Sequence, residues 1–305
     1  MKNDTPKDYK GPSLEIMARD VKQEPVADFV KRVIDKVPAS VNTVGTFLKD
    51  KIDGELTQTV YDAFEKSRKA KLAEMSGFVA QACRVKLDCE QKNMLTASKF
   101  TEWTYKRITT EIENIIEDDK KVKHSNVQNK IERLLEDSNA MDQFKAQNQG
   151  VNVDFLEFAT PIMIQSGNNI TVHKFQNESD SQTLNYRAVY INVCGKYADM
   201  TAMASRTLLV DPKDEQKKAY ELAHEAHQKL LECLTVGKTI SSAYQAAKQV
   251  IESKNKDLNI HSNFGFGIGF NFKEDALAIN ATNQTVIQPG MTFHARVAFS
   301  NVHPE

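Results

Sequence analysis

The stretch Asn263–Phe270 constrains the fold of this chain most, because glycine occupies every second position from Gly265 to Gly269. Alternate residues of a strand face opposite sides, so one face here would be apolar and the other bare backbone. The apolar side chains are Phe264, Phe266, Ile268 and Phe270. Glycine weakens a strand, and a bare face lets another backbone or a ligand approach closely. The pattern predicts either a bulged core strand or one wall of a binding site.

Composition predicts an ordinary globular protein. The 305 residues correspond to two domains or one large one, with hydrophobic and charged shares of 40% and 27%. A net charge of -1 disfavours a strongly basic nucleic-acid-binding surface, and we expect neither a membrane span nor a signal peptide. The scattered cysteines fit neither a zinc knuckle nor a disulfide framework, which favours a reducing, intracellular compartment. They are Cys83, Cys89, Cys194 and Cys233.

Residues 1–80 are predicted to form a truncated α/β lobe. Pro25 opens a helix with apolar residues at helical spacing as far as Ile34, and Pro38 ends it. Val41–Leu48 has the pattern of a strand, and Gly54 precedes a second helix. These parts belong to an α/β layer but are too few for a complete layered domain. The lobe is therefore either truncated or completed by a partner.

Residues 81–305 are predicted to alternate long helices with strands. Asp88–Asp118 reads as one helix with an apolar stripe, in which Trp103 is expected to be buried. Ser125 and Gln128 form a capping-box pattern that predicts the start of the next helix. Strand patterns follow, and Asp211-Pro212 then predicts a further helix start. The strand patterns cover Pro161–Gly167, Leu184–Val193 and Met203–Val210, and the last helix carries Ile240, Tyr244, Ala247 and Ile251.

Simple catalytic motifs are weak in this chain. His224 and His227 are three residues apart, whereas a zinc-protease helix places its histidines four apart on one face. The spacing from Gly265 to Gly269 is not a dinucleotide fingerprint, and no helix follows to bind phosphate. A Cys-His nucleophile pair stays open, although core packing is the commoner role of cysteine.

The order of these parts resembles the pita-bread fold of the family that includes aminopeptidase P, creatinase and methionine aminopeptidase. The resemblance runs from about Asp88 to the C terminus, and its most specific pieces are Arg206-Thr207, Gly265–Gly269 and Pro289–Phe293. It implies an α/β (α+β) chain, in which a pita-bread aminopeptidase-like lobe over residues 81–305 follows the truncated lobe of residues 1–80.

Catalytic members of that family hold two metal ions with two aspartates, one histidine and two glutamates. The resemblance places the first four of these at Asn192, Met203, Phe266 and Arg296, and the last glutamate beyond Glu305. Hard divalent ions prefer carboxylate or imidazole ligands, and a guanidinium repels them. Without metal the family's hydrolysis has no nucleophile. The substitutions therefore predict a pseudo-enzyme without metal or other cofactor.

A closer resemblance is to the family of FACT histone-chaperone large subunits, which carry a metal-free pita-bread domain near their N terminus. It is carried by "VGTFLKDKIDGELTQTVYDAFEK", "KVKHSNVQNKIERLLED", "PIMIQSGNN", "ASRTLLVDP", "NFGFGIGFNFKEDALAIN" and "PGMTFHARVAFSNV". It implies a nuclear, chromatin-associated protein that binds core histones. Such a protein takes apart and rebuilds nucleosomes with a second, DNA-binding subunit during transcription, replication and repair.

The chain departs from that family in its shorter N-terminal lobe and in lacking the acidic tail and the later histone-binding domains. We therefore expect a fragment or a diverged form, with little direct nucleic-acid binding and no membrane contact.

The resemblance leaves two places for histone binding. One is the former active-site cleft, where an extended tail would add to a strand edge. The residues predicted to line it are His173, which matches a substrate-positioning histidine of the family, and Asn192, Met203, Phe266 and Arg296. The other is the outer surface, with a vestigial cleft. Two further alternatives are an active metallo-aminopeptidase with relocated ligands and a scaffold that joins the partner subunit.

Overall fold

The computed structural model describes residues 17, 19–20, 22–46, 54–67, 70–167, 170, 179–185 and 187–302. The chain divides into two compact units, Met1–Val79 and Ala80–Glu305. His173 and the end of the strand expected over Val41–Leu48 lie outside the described residues.

The first unit contains helices and a pair of parallel strands. Its elements are α1 (Val26–Lys36), β1 (Thr43–Thr46), α2 (Glu55–Ser67) and β2 (Lys71–Glu74), and α3 (Ser76–Cys83) crosses the boundary between the units. Val26, Val30 and Ile34 follow helical spacing and form a core with Phe64 of α2. The predicted helix, strand and helix are confirmed. The strand β2, which pairs in parallel with β1, has no alternating pattern by which the sequence would predict it.

The second unit combines helices with antiparallel strands. Its helices are α4 (Asp88–Glu117), α5 (His124–Glu132), α6 (Ser138–Gln147), α7 (Asp214–Cys233) and α8 (Ile240–Lys254). Its strands are β3 (Leu156–Phe158), β4 (Met163–Ser166), β5 (Ala188–Tyr197), β6 (Met200–Leu209), β7 (Asn259–Ile260), β8 (Gly265–Gly267), β9 (Phe293–Ala295) and β10 (Phe299–Ser300). Within the described part of the chain, no helix is both long and apolar enough to cross a membrane.

The central strand of the main sheet is β5. The strand β6 pairs with it along its whole length, while β3 and β4 share its other edge. Ala198 and Asp199 form the turn between β5 and β6, with φ of 44° and 65°. A two-residue hairpin loop needs positive φ at both positions to match the right-handed twist of its strands. The register places Asn192 of β5 opposite Ser205 of β6.

The long helix α4 covers one face of this sheet. Ile108 and Ile112 are fully buried and share an apolar cluster with Val189 of β5. Burial of such side chains stabilises the fold by about 2 kcal/mol each. Trp103 is buried as predicted, and its ring packs edge-on against Phe144 of α6.

The start of α5 differs from the prediction. The helix begins at His124, so Ser125 lies in its first turn and not at the N-cap. The backbone N–H of His124 donates to the carbonyl oxygen of Gln182 (3.0 Å). The side-chain oxygen of Gln128 accepts from the backbone N–H of Ser179 (2.7 Å) and does not cap the helix. The capping-box prediction is wrong because groups distant in the sequence satisfy this helix end.

A serine, a histidine and an aspartate meet beside this helix end. Nδ1 of His124 lies 2.6 Å from Oδ1 of Asp180, and Nε2 lies 2.6 Å from Oγ of Ser166. The arrangement resembles a hydrolase triad, but Ser166 is buried and its oxygen also accepts the backbone N–H of Asn185 (2.7 Å). The network therefore ties the segment 179–185 to β4 and does not present a nucleophile.

The helix α7 starts later than the sequence predicts. Asp211 has a φ of 48°, outside the helical region, and the first helical residue is Asp214. The N-cap is Lys213, whose backbone N–H donates to the side-chain oxygen of Gln216 (2.9 Å). The predicted start at Asp211-Pro212 is therefore wrong. The apolar stripe predicted for α8 is confirmed, because Ile240, Tyr244, Ala247 and Ile251 are all buried.

Candidate functional site

The bare face of the glycine strand is covered by the protein itself. The strand β8 pairs antiparallel with β9. A Cβ atom on Gly265 would lie 1.9 Å from the carbonyl oxygen of His294, and one on Gly267 would lie 2.7 Å from Cβ of Leu277. Gly265 also has a φ of 128°, which side-chain-bearing residues rarely adopt. Of the two alternatives that the sequence leaves, the structure supports a core strand and not a glycine wall open to a ligand.

The last glycine of the pattern makes room for a buried ion pair. A Cβ on Gly269 would lie 2.1 Å from Cε of Lys86. The Lys86 ammonium lies 2.8 Å from the carboxylate of Glu274, and both side chains are buried. Burial raises the pKa of Glu274, while Lys86 opposes that shift. The alternation places Phe270 on the apolar face with Phe266, but Phe270 is 59% exposed, because β8 ends at Gly267.

Four of the predicted site residues come together around His294. The hydroxyl of Ser205 donates to Oδ1 of Asn192 (2.7 Å) and lies 3.5 Å from Nε2 of His294. Nδ1 of His294 donates to the carbonyl oxygen of Met203 (3.1 Å). The ring of Phe266 lies 5.3 Å from the imidazole of His294, centroid to centroid. Arg296, two residues after His294 in the chain, completes the group.

His294 is held in its neutral form. Burial lowers its pKa to about 3, and the positive charge of Arg296 acts in the same direction. The hydrogen bond to the Met203 carbonyl opposes these effects without reversing them. Because Nδ1 carries the proton in that bond, Nε2 is the acceptor nitrogen of the ring.

Arg296 places a positive charge at the edge of this group. Its guanidinium is mostly buried, and burial lowers its pKa, while the neighbouring Tyr190 opposes that shift. An arginine stays protonated at neutral pH even so. The charge of Arg296 therefore persists near His294 and Tyr190.

The residues at these positions do not fit the two metal ions of the family fold. Asn192 offers a neutral oxygen that already accepts a hydrogen bond, and the side chains of Met203 and Phe266 are not ligands for hard cations. Among the described residues, no three His, Cys, Asp or Glu side chains are grouped so that they would hold an ion.

Cys194 and the two histidines of α7 do not form a catalytic group. Burial raises the pKa of the Cys194 thiol to about 12, so it does not supply a thiolate at neutral pH. His224 is exposed on α7, whereas His227 donates from Nε2 to the carbonyl oxygen of Ala295 (3.1 Å). The two histidines therefore do not act as a pair.

An open groove of about 770 Å³ reaches this group from the surface. It runs between the β6 residues Ser205–Leu209, the inner side of α7 and the segment 295–302. Arg296 and Tyr190 line it, but Asn192, Met203 and Phe266 do not. Asn192 and Phe266 have almost no exposed surface, so of these four predicted residues only Arg296 lines the groove where a partner could reach it.

Sequence reasoning does not find two members of the group, Ser205 and His294. His294 lies two residues before Arg296, so the alternation of strand side chains gives a usable indication that both face the same side. Ser205 is identified only by its register opposite Asn192, which the sequence does not provide.

Residues 92–303 match Metallopeptidase family M24. This match covers more than half of the chain, which therefore belongs to that family. The predicted pita-bread lobe is confirmed, since solved family members share the fold. A prolidase from Thermococcus sibiricus, for example, superposes with a TM-score of 0.65 at 18% identity, covering 92% of this chain and 69% of its own.

Within this fold the chain is similar to subunits of one complex. The FACT complex subunit SPT16 of Oryza sativa subsp. japonica is 27% identical over 285 residues, 91% of this chain. The N-terminal domain of FACT complex subunit SPT16 from Cicer arietinum superposes with a TM-score of 0.80 at 26% identity over 92% of this chain. The resemblance to FACT large subunits is thereby confirmed.

The similarity concerns one part of those relatives. This chain spans 26% of the length of the Oryza sativa subunit and 65% of the solved Cicer arietinum chain. The described fold and site therefore correspond to an N-terminal region of a larger subunit in the relatives.

Proposed function

We propose that this chain is a non-enzymatic histone-binding module of a nuclear chromatin chaperone that works with a second, DNA-binding subunit. The similarity to FACT complex subunits supports the chaperone role. One observation carries the non-enzymatic part: a guanidinium, Arg296, stands with Asn192, Met203 and Phe266 where family members place metal ligands. The net charge of -1 supports little direct nucleic-acid binding.

Electrostatics explain why this arrangement disfavours metal catalysis. Two unit charges about 4 Å apart repel by roughly 4 kcal/mol at an effective dielectric near 20, and a dication beside Arg296 faces about twice that. No carboxylate among the four positions offsets this repulsion. Without a metal-bound hydroxide, the hydrolysis typical of the family has no nucleophile.

The non-enzymatic part is tested with purified protein and dipeptides containing proline, in the presence of added manganese, cobalt or zinc. We expect no turnover above the protein-free control and no stoichiometric metal by mass spectrometry. An active aminopeptidase P serves as the positive control. Turnover together with stoichiometric metal would replace this proposal with a metallo-aminopeptidase.

The location of histone contacts follows from the charge of the groove. Its described lining contains two arginines and three histidines but no acidic side chain. A basic histone tail would be repelled there, so we place histone binding on the outer surface.

We expect core histones to bind wild-type protein saturably and Arg296→Ala with unchanged affinity. Weaker binding by a folded Arg296→Ala variant would place the histones in the cleft, and no binding by wild type would contradict the histone role.

Assembly with the second subunit is tested separately. We expect the DNA-binding subunit of the complex to co-purify with this chain in the absence of histones. Its failure to do so, while histones still bind, would contradict the partner assignment and leave the histone assignment intact.

A further inference from the structure

The outer edge of β6 carries backbone groups that face away from β5. The backbone N–H of Thr201 donates outward to Gly269 (2.8 Å), and the carbonyl oxygen of Met203 accepts outward from His294. Because alternate residues of a strand direct their backbone groups to the same edge, Ser205, Thr207 and Leu209 also face outward. Consistent with this, Val210 donates inward to Arg187.

Within the part of the chain that the structure describes, the outward groups at this end of β6 have no backbone partner. Thr201 and Met203 are bonded to other parts of the unit, but in the described ranges no hydrogen bond reaches the backbone of Ser205, Thr207 or Leu209. An unpaired strand edge is a template for another strand. This stretch therefore has hydrogen-bonding capacity to offer an extended chain.

The open groove runs along this same stretch. Ser205, Thr207 and Leu209 line it on one side. On the α7 side, Ala219 and Ala223 lie among larger lining residues, which are Gln216, Tyr220, His224 and His227. Small side chains opposite a strand edge leave room for an added backbone. The groove thus has the form needed for strand addition.

The charge of the groove selects the kind of strand. Its described lining contains the cationic side chains Arg206 and Arg296 but no aspartate or glutamate. Arg206 is exposed, with its guanidinium 5.9 Å from the centroid of the Tyr105 ring of α4, whereas Arg296 lies deeper. Histidines at 224, 227 and 261 add hydrogen-bonding groups. A strand with acidic side chains complements this surface, and a lysine-rich one does not.

We propose that this groove binds an extended acidic peptide, which adds as a strand to the edge of β6 at Ser205–Leu209 with its carboxylates facing Arg206 and Arg296. This partner class differs from basic histones. The inference does not rest on the proposed histone binding, and the two are measured with different ligands.

The first experiment uses fluorescence anisotropy with a labelled synthetic peptide long enough to pair with Ser205–Leu209. The probe alternates valine with glutamate. One counterpart carries lysine in place of glutamate, and the other keeps the glutamates but carries N-methyl groups on alternate backbone amides. We expect saturable binding of the acidic probe and binding weaker by roughly tenfold or more for each counterpart. Equal binding of the acidic and lysine peptides, or of the methylated and unmethylated ones, would overturn the proposal.

Variants locate the site. Thr207→Pro removes one outward N–H and should weaken binding of the acidic probe by roughly tenfold, whereas Thr207→Val keeps that N–H and should bind like wild type. Arg206→Ala should weaken binding, and Arg133→Ala, an exposed arginine outside the groove, should not. Thermal unfolding checks that each variant folds. If Thr207→Pro does not fold, the methylated peptide still tests whether binding depends on backbone hydrogen bonds, since it is measured with wild-type protein.

Discussion

At the residue scale, His294 organises the group that it forms with Ser205, Met203, Phe266 and Arg296. The imidazole is buried, donates to the Met203 carbonyl and lies beside the phenyl ring of Phe266. The neutral form satisfies these contacts, whereas an imidazolium would lie close to the positive charge of Arg296. The surroundings of His294 thus favour the neutral imidazole over the imidazolium.

This environment predicts a pH-dependent stability. The folded pKa of His294, about 3, is below its ordinary value of 6.5, so between these values the unfolded chain binds more protons. The stabilisation that comes from keeping His294 neutral in the folded state is fully present above pH 6.5 and is lost as the pH falls. Between pH 7 and 5 the loss should be about 2 kcal/mol, and His294→Gln should lack that component. Urea unfolding at both pH values measures it, and parallel losses in the two proteins would contradict it.

A second residue-scale prediction concerns Gly265. Alanine there would meet the His294 carbonyl oxygen at 1.9 Å, in addition to adopting a φ of 128°. We expect Gly265→Ala to lower the free energy of unfolding by about 3 kcal/mol or more. Gly150→Ala is the matched control, since Gly150 has a φ of 81° with nothing within 4 Å of its added Cβ, and should lose only about 1 kcal/mol. Equal losses in urea unfolding would show that the close approach is unimportant.

At the element scale, the sequence predicts those helices whose formation depends on residues close together in the chain. The helices α4 and α8 follow from apolar spacing, because one buried face is encoded within the helix itself. The start of α5 depends on hydrogen bonds with Gln182 and Ser179, which are far away in the chain. The β8 glycine Gly265 is covered by the backbone of His294, which is also distant in the sequence. No local pattern specifies such partners, and these predictions fail for that reason.

The candidate site divides in the same way. Asn192, Met203, Phe266 and Arg296 follow from motif positions and meet around one histidine in the structure. Ser205 and the free edge of β6 depend on strand register and on which edge stays unpaired, and only the folded chain shows these.

The corrected helix start gives an element-scale prediction. Ser125 matches a capping motif but caps nothing, whereas the carboxylate of Asp137 accepts from the backbone N–H groups of Asn139 and Ala140 at the start of α6. We expect Ser125→Ala to change the free energy of unfolding by less than about 0.5 kcal/mol and Asp137→Ala to lower it by about 1 kcal/mol. Chemical denaturation compares the two. If Ser125→Ala lowered the free energy of unfolding more than Asp137→Ala, the capping box predicted from the sequence would be supported after all.

At the scale of the whole molecule, each unit has its own core. Ile34 belongs to a cluster within the first unit, and Ile164 belongs to a cluster of α4, α5 and the main sheet in the second. Among the described residues, neither cluster contains a member of the other unit. Since stability is set by the contacts that a segment loses when it opens, the two units should respond to core damage separately.

Matched substitutions test this independence. Ile34→Ala and Ile164→Ala each remove the same atoms from a buried site, and each should destabilise its own unit by about 3 kcal/mol. In hydrogen exchange followed by mass spectrometry, we expect Ile34→Ala to lower amide protection in residues 22–46 and 54–67 while leaving β5 and β6 unchanged. Ile164→Ala should do the reverse. Loss of protection throughout the chain in either variant would mean that the units unfold together, because their cores would then be energetically coupled.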